Sequence, residues 1–168
     1  MQIQDFIKKY DTQNQFKVLI ETYKQASDAW NNKINLSKLK EDSFSSIVFC
    51  GLGGSAISGD LLCDYLSGEI EIPFIVIRGY NLPKFVNEST LVIISSYSGN
   101  IGTMAEANKI PIINIQGGFQ PRYALGLSFF SLLKIMQELG IASEDNRAKK
   151  IIDLWQKRGE EYAEDHNY

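Results

Sequence analysis

Four short runs of apolar residues constrain what this chain can fold into more than any other feature. They are Ile47-Val48-Phe49-Cys50, Pro73-Phe74-Ile75-Val76-Ile77, Leu91-Val92-Ile93-Ile94-Ser95 and Pro111-Ile112-Ile113-Asn114-Ile115. None alternates polar with apolar, as a strand with one wet face would. A continuous apolar run of about 4–8 residues bounded by turn signals reads as a strand buried on both faces, as in a parallel sheet. Helical stretches lie between and after them: Asp60 to Leu66, stopped near Gly68; Ala124 to Leu139, with Gly140 past its end; and Glu144 to about Glu164. Strands alternating with helices predict an α/β fold, a doubly wound parallel sheet flanked by helices.

The first 45 residues differ in character. Phe6, Ile7, Tyr10, Phe16, Leu19, Ile20, Tyr23, Ala26 and Trp30 recur at spacings of three and four. That stripe predicts amphipathic helices packed as a covering layer on something larger. Asp11 or Thr12 is placed to cap the second of them. The chain thus divides into a helical segment over residues 1–45 and an α/β domain over 46–168.

Composition removes several classes of function. A chain of 168 residues, 44% of them hydrophobic, has the size and core of one ordinary domain. It carries 17 Lys and Arg against 20 Asp and Glu, a net charge of −3, which argues against nucleic acid held by bulk phosphate attraction. Two cysteines make neither a disulfide framework nor a zinc pattern. The start, Met1 to Asp5, lacks the basic and apolar regions of a signal peptide. No apolar run approaches the roughly 20 residues that span a bilayer, so no membrane association is expected. A soluble, reduced, cytoplasmic setting is the expectation.

In doubly wound sheets ligands sit beyond the carboxyl ends of the strands. Three loops there carry chemistry. The first is Gly51-Leu52-Gly53-Gly54-Ser55-Ala56, with a further glycine at Gly59. Glycines let backbone turn tightly and approach a ligand, and the helix that follows presents N–H groups and partial positive charge to an anion. Gly53, Gly54 and Ser55 are the candidate contacts; the competing reading is a turn needed only for close strand–helix packing. Gly51, Gly53 and Ala56 also fit the dinucleotide pattern G-x-G-x-x-A. The second strand, however, ends on Arg78-Gly79, not on the acid that would hold a ribose; Arg78 leaves open a 2′-phosphate. The second loop is Ser95-Ser96-Tyr97-Ser98-Gly99-Asn100, whose hydroxyls and backbone N–H groups suit a phosphate. The third, Gln116 to Arg122, sets Arg122 after Gly117-Gly118 and Pro121. Its guanidinium stays charged and can hold an oxyanion.

In combination and order these stretches resemble the sugar isomerase, or SIS, domain, and more narrowly the bifunctional phosphoglucose/phosphomannose isomerase family. The stretches are Gly51 to Leu62, Arg78-Gly79-Tyr80-Asn81-Leu82-Pro83, Ser95 to Asn100, and Gln120-Pro121-Arg122-Tyr123-Ala124-Leu125-Gly126 with Ser128-Phe129. The resemblance implies a Rossmann-like three-layer domain and a hexose phosphate substrate. It implies that Ser96 and Ser98 hold the sugar phosphate, that Gly53, Gly54 and Ser55 line the site, and that Arg122 stabilises a cis-enediolate. It implies a homodimer, and neither metal nor cofactor.

Two departures qualify it. The family has two such domains, with its general-base Glu and a ring-opening His in the second. The one histidine here, His166, sits in a polar tail and does not match. Arg122 cannot abstract a proton, so the chain lacks a credible base. Secondly, Asn100-Ile101 leaves the family pattern. Only ten residues separate the serine loop from the strand at Pro111, without a helical stripe, which predicts a segment missing at 100/101. The sequence therefore predicts an aldose–ketose isomerase or its N-terminal domain. The alternatives are a non-catalytic sugar-phosphate-binding module and, more remotely, an NAD(P)-binding oxidoreductase.

Overall fold

A computed structural model of the chain describes residues 3–34, 36, 44–79, 81–95, 112–115 and 124–164. The four apolar runs form four strands: β1 (Ser46–Gly51), β2 (Phe74–Ile77), β3 (Thr90–Ser95) and β4 (Ile112–Ile115). Pro73 stays outside β2, and its carbonyl accepts from the Ile47 N–H at 2.8 Å. All pairings are parallel, in the order β2-β1-β3-β4. β1 and β3 form the middle of the sheet, and every residue of β3 is buried. The continuous apolar runs are explained by that position, since both faces of these strands are covered.

The faces divide by residue parity. Ile47, Phe49, Leu91 and Ile93 belong to the larger core, with residues from the helices. Val48, Cys50, Val92 and Ile94 face the other way and pack with Leu82 and Val86, from the connection between β2 and β3. The handedness of parallel crossovers accounts for this division. The chain steps from β1 outward to β2, then back past β1 to β3. Right-handed connections that run in opposite directions must cover opposite faces.

The helices are α1 (Ile3–Tyr10), α2 (Gln15–Ile20), α3 (Thr22–Asn31), α4 (Gly54–Tyr65), α5 (Leu125–Glu138) and α6 (Asp145–Glu164). Of the two capping candidates it is Asp11 that acts. Its carboxylate accepts from the Gln15 and Phe16 N–H groups, each at 2.7 Å. The covering role of the N-terminal stripe is met by α3, whose Ala26, Ala29 and Trp30 enter the main core. Gly140 ends α5 with φ 69°. Its N–H bonds Gln137 O at 3.0 Å while the Ile141 N–H bonds Met136 O at 2.9 Å, the paired closure that a left-handed residue permits.

α4 starts at Gly54, six residues before the stretch that reads as helical in the sequence. The glycine and serine that suggest a longer turn lie inside it. Ser58 is wholly buried and its hydroxyl donates to Ser55 O at 3.1 Å. Gly59 lies on the Phe49 ring: a Cβ there would come within 2.2 Å of Phe49 Cδ1. The helix can approach β1 only because this position has no side chain.

The far end of α4 is clamped by polar groups. Glu144 has no exposed side-chain surface. Its carboxylate accepts from the Tyr65 hydroxyl at 2.7 Å and from Arg147 at 3.2 Å. Arg147 also reaches Glu69 at 2.6 Å. Burial, and then donation to Glu144, raise the Tyr65 pKa above the usual phenol range. A buried carboxylate without such partners would be costly, so this cluster ties the end of α4 to the start of α6.

Gly59→Ala is expected to destabilise the protein by about 1–3 kcal/mol through overpacking against Phe49, despite the better helix propensity of Ala. Gly68→Ala, where a Cβ would meet open space, should leave the urea midpoint unchanged or raise it. Equal midpoints for the two variants would contradict the close packing.

Candidate functional site

Strand register puts the three loop origins side by side. Gly51 of β1 pairs with Ser95 of β3, and Ser95 pairs with Ile115 of β4. One row across the sheet therefore ends in the residues from which all three sequence-marked loops depart. The row also contains the topological reversal, because the connections from β1 and β3 lead to opposite sides of the sheet. At such a reversal the connections diverge and leave a crevice, the usual ligand position in open α/β sheets.

The first loop divides its glycines among different tasks. At Gly51 a Cβ would lie 2.9 Å from the Ser55 carbonyl and the Ala56 nitrogen, so the first turn of α4 rests directly on it. Gly53 has φ 54° and ψ −125°, which an L side chain rarely adopts. It forms a tight turn in which the Ser55 N–H bonds Leu52 O at 3.1 Å and the Ala56 N–H bonds Gly53 O at 3.1 Å. The chain passes from this turn straight into α4. Gly53 and Gly54 are exposed, whereas Ser55 is 94% buried, with 6% relative exposure. The packing explanation thus accounts for Gly51 and Gly59, and leaves two exposed glycines at a helix N-terminus. That first turn carries no acidic residue, so the helix dipole favours an anion there.

Ser95, buried at 2% exposure, closes β3. The candidate residues Ser96, Ser98 and Arg122 lie outside the described residues, as do His166 and the 100/101 junction. Of the six candidate site residues the structure places Gly53, Gly54 and Ser55 together at the end of β1.

Sequence reasoning missed the partner of Arg78. Its guanidinium pairs with the Asp60 carboxylate on α4. A 2′-phosphate would have to displace that carboxylate, which weakens the dinucleotide reading. Asp60 lies in the middle of α4, and nothing local signals the pairing. Glu144, the buried carboxylate, offers no base to this site. It contacts Tyr65 at the opposite end of α4, about 18 Å along a twelve-residue helix from Gly54. Cys50, next to the row, is buried, and burial pushes its thiol up to about 11. It stays protonated, and so poorly nucleophilic, at neutral pH.

No family model matches the chain. It is 32% identical to the bifunctional phosphoglucose/phosphomannose isomerase of Caldicellulosiruptor bescii over 184 aligned positions, covering 90% of this chain and 54% of the relative. With the enzyme of the same description from Aquifex aeolicus the identity is 29% over 177 positions, covering 85% and 54%. The resemblance carried by the motifs therefore extends over most of the chain. The chain spans about half the length of these curated relatives. Both alignments are longer than its 168 residues, so the relatives carry residues inside the matched region that this chain lacks. Among solved structures, a proposed phosphosugar isomerase of Clostridium difficile 630 superposes with a TM-score of 0.58 at 21% identity, over 94% of this chain and 53% of that one. The C-terminal domain of glucosamine-fructose-6-phosphate aminotransferase from Francisella tularensis gives 0.55 at 10% identity, over 86% and 53%. These neighbours bear out the doubly wound, Rossmann-like α/β fold. Among the described residues no helix is long and apolar enough to cross a membrane.

The two thiols should behave differently. At neutral pH iodoacetamide is expected to label half-exposed Cys63 in the folded protein and Cys50 only after unfolding. Since the folded Cys50 keeps its proton to about 11 and the usual thiol value is 9.0, the unfolded chain ionises first. Stability should therefore fall as pH rises from 9 to 11. Chemical denaturation over that range checks it, because Cys50→Ala should flatten the fall.

Proposed function

We propose that this chain is a sugar-phosphate-binding SIS domain of a phosphoglucose/phosphomannose isomerase. The reaction interconverts glucose 6-phosphate or mannose 6-phosphate with fructose 6-phosphate. Residues 1–45 are its covering helices and 46–168 the domain proper. The observation that carries this reading is the single row Gly51, Ser95, Ile115, from which the glycine, serine and arginine loops all leave. Similarity to the curated isomerases over most of the chain supports it.

In the proposed mechanism Ser96 and Ser98 hold the phosphate, and the exposed backbone of Gly53 and Gly54 with Ser55 lines the same crevice. Transfer of the aldose C2 proton to a base gives a cis-enediolate; return of that proton to C1, with the O2 proton passing to O1, gives the ketose. Arg122 holds the developing oxyanion with a fixed, always-charged guanidinium. No step calls for a metal or a redox cofactor. The base comes from outside the first loop and from outside the Glu144 cluster, which lies at the wrong end of α4. The proposed source is sequence of the kind that makes the relatives about twice as long. We place part of the shortfall at 100/101, where the stretch from Ile101 to Ile110 lacks an apolar stripe. The protein is proposed to act as a homodimer in the cytoplasm.

The distant base also favours a second reading, a module that binds hexose phosphates without turning them over. Calorimetry with glucose 6-phosphate and a coupled isomerase assay separate the two. Binding with turnover supports the enzyme, binding alone selects the module, and no binding rejects both. In an active protein Arg122→Lys should lower kcat by about 10²–10³-fold and change substrate affinity little. Equal losses in both would refute its role at the enediolate.

A further inference from the structure

Two apolar surfaces of this chain lack a partner among the described residues. One is α1. Phe6 and Tyr10 are 46% and 64% exposed, and their rings stack with centroids 5.8 Å apart. Half-buried Ile7, three positions before Tyr10, extends that face on the Tyr10 side. α1 packs only marginally on the other described elements. The second surface is a groove of about 440 Å³ between α4, α5 and α6, lined by Leu61, Asp64, Tyr65, Leu125, Phe129 and Trp155. Its floor is open because Gly126 faces the Trp155 ring, where a Cβ would come within 3.1 Å. Leu61 and Leu125 at its rim are 42% and 39% exposed, and Ile57, one turn before Leu61 on α4, is 47% exposed.

We propose that the groove receives α1 of a second copy of this chain, in a reciprocal two-fold dimer. Phe6 and Tyr10, at i and i+4, are the anchors of a helix laid in an apolar groove. Lys9, whose ammonium lies 5.1 Å from the Tyr10 ring centroid, flanks them, and the charged group lining the groove is the Asp64 carboxylate, of opposite sign. The exchange runs between copies because the α1–α2 corner is fixed. Asp11 holds the first turn of α2 with both carboxylate oxygens, and its own N–H bonds Ile7 O at 2.8 Å. α1 therefore stays where it stands, off the body of its own chain. The segment also lies on the correct side. Ile20 rests against Gly159 of α6, and Thr22 against Gly126 at the groove floor. Each copy then presents a helix and a groove in the same layer, the self-complementary patch that a two-fold axis requires. The inference takes up the proposed homodimer but none of its chemistry.

Light scattering on the full chain across a dilution series tests it. A dimer that dissociates on dilution is expected. Phe6→Ser with Tyr10→Ser on the helix, and Leu61→Arg in the groove, should each weaken association by about tenfold or more. These side chains are exposed, so circular dichroism should show unchanged helix content. An equimolar mixture of the two variants should associate more tightly than either alone, because a mixed pair retains one intact helix and one intact groove. A monomeric wild type, a dimer indifferent to both substitutions, or no recovery on mixing would each overturn the proposal. Hexose-phosphate affinity, measured in the same samples, should stay unchanged. Its absence in the wild type would count against the functional reading alone.

Discussion

The parallel pairing of β1 with β3 is the interaction on which the rest of this structure depends. Both strands are nearly or wholly buried, so neither can exchange its backbone hydrogen bonds for water. A slip of one residue would send Phe49 and Ile93 to the face of Cys50 and Ile94. The register that prevents this also fixes Gly51 beside Ser95 and Ser95 beside Ile115. The alignment of these three strand ends thus follows from the packing of the core.

Close approach at the carboxyl end of β1 depends on what is absent. Gly51 admits the first turn of α4, and Gly59 admits the Phe49 ring beneath the second. Because those two contacts hold the helix down, its N-terminal backbone at Gly53 and Gly54 is fixed in place while remaining open to solvent. An exposed N-terminus with no acidic residue in its first turn favours an anion. At the other end of α4 the chemistry is reversed. There Tyr65, Glu144 and Arg147 satisfy one another in a cluster that ties the end of α4 to the start of α6.

The sugar-phosphate reading and the dimer surface rest on different parts of the molecule. The first uses the carboxyl ends of the strands. The second uses the helical layer, where Gly126 and Trp155 leave a groove and α1 leaves an apolar side chain pair uncovered. Either can stand without the other.

Local features of the sequence determined the strands and the caps. Unbroken apolar runs mark strands with two covered faces, and Gly140 marks the end of α5. The start of α4 is not legible locally, because Gly59 and Ser58 read as turn residues while close packing on the Phe49 ring requires a glycine within the helix there. Strand order, the Arg78–Asp60 pair, the burial of Glu144 and the groove beside Trp155 were decided only in the tertiary structure. Each depends on which distant segments meet. A single sequence states what every segment prefers, but the choice among possible neighbours is made when all of them compete for one core.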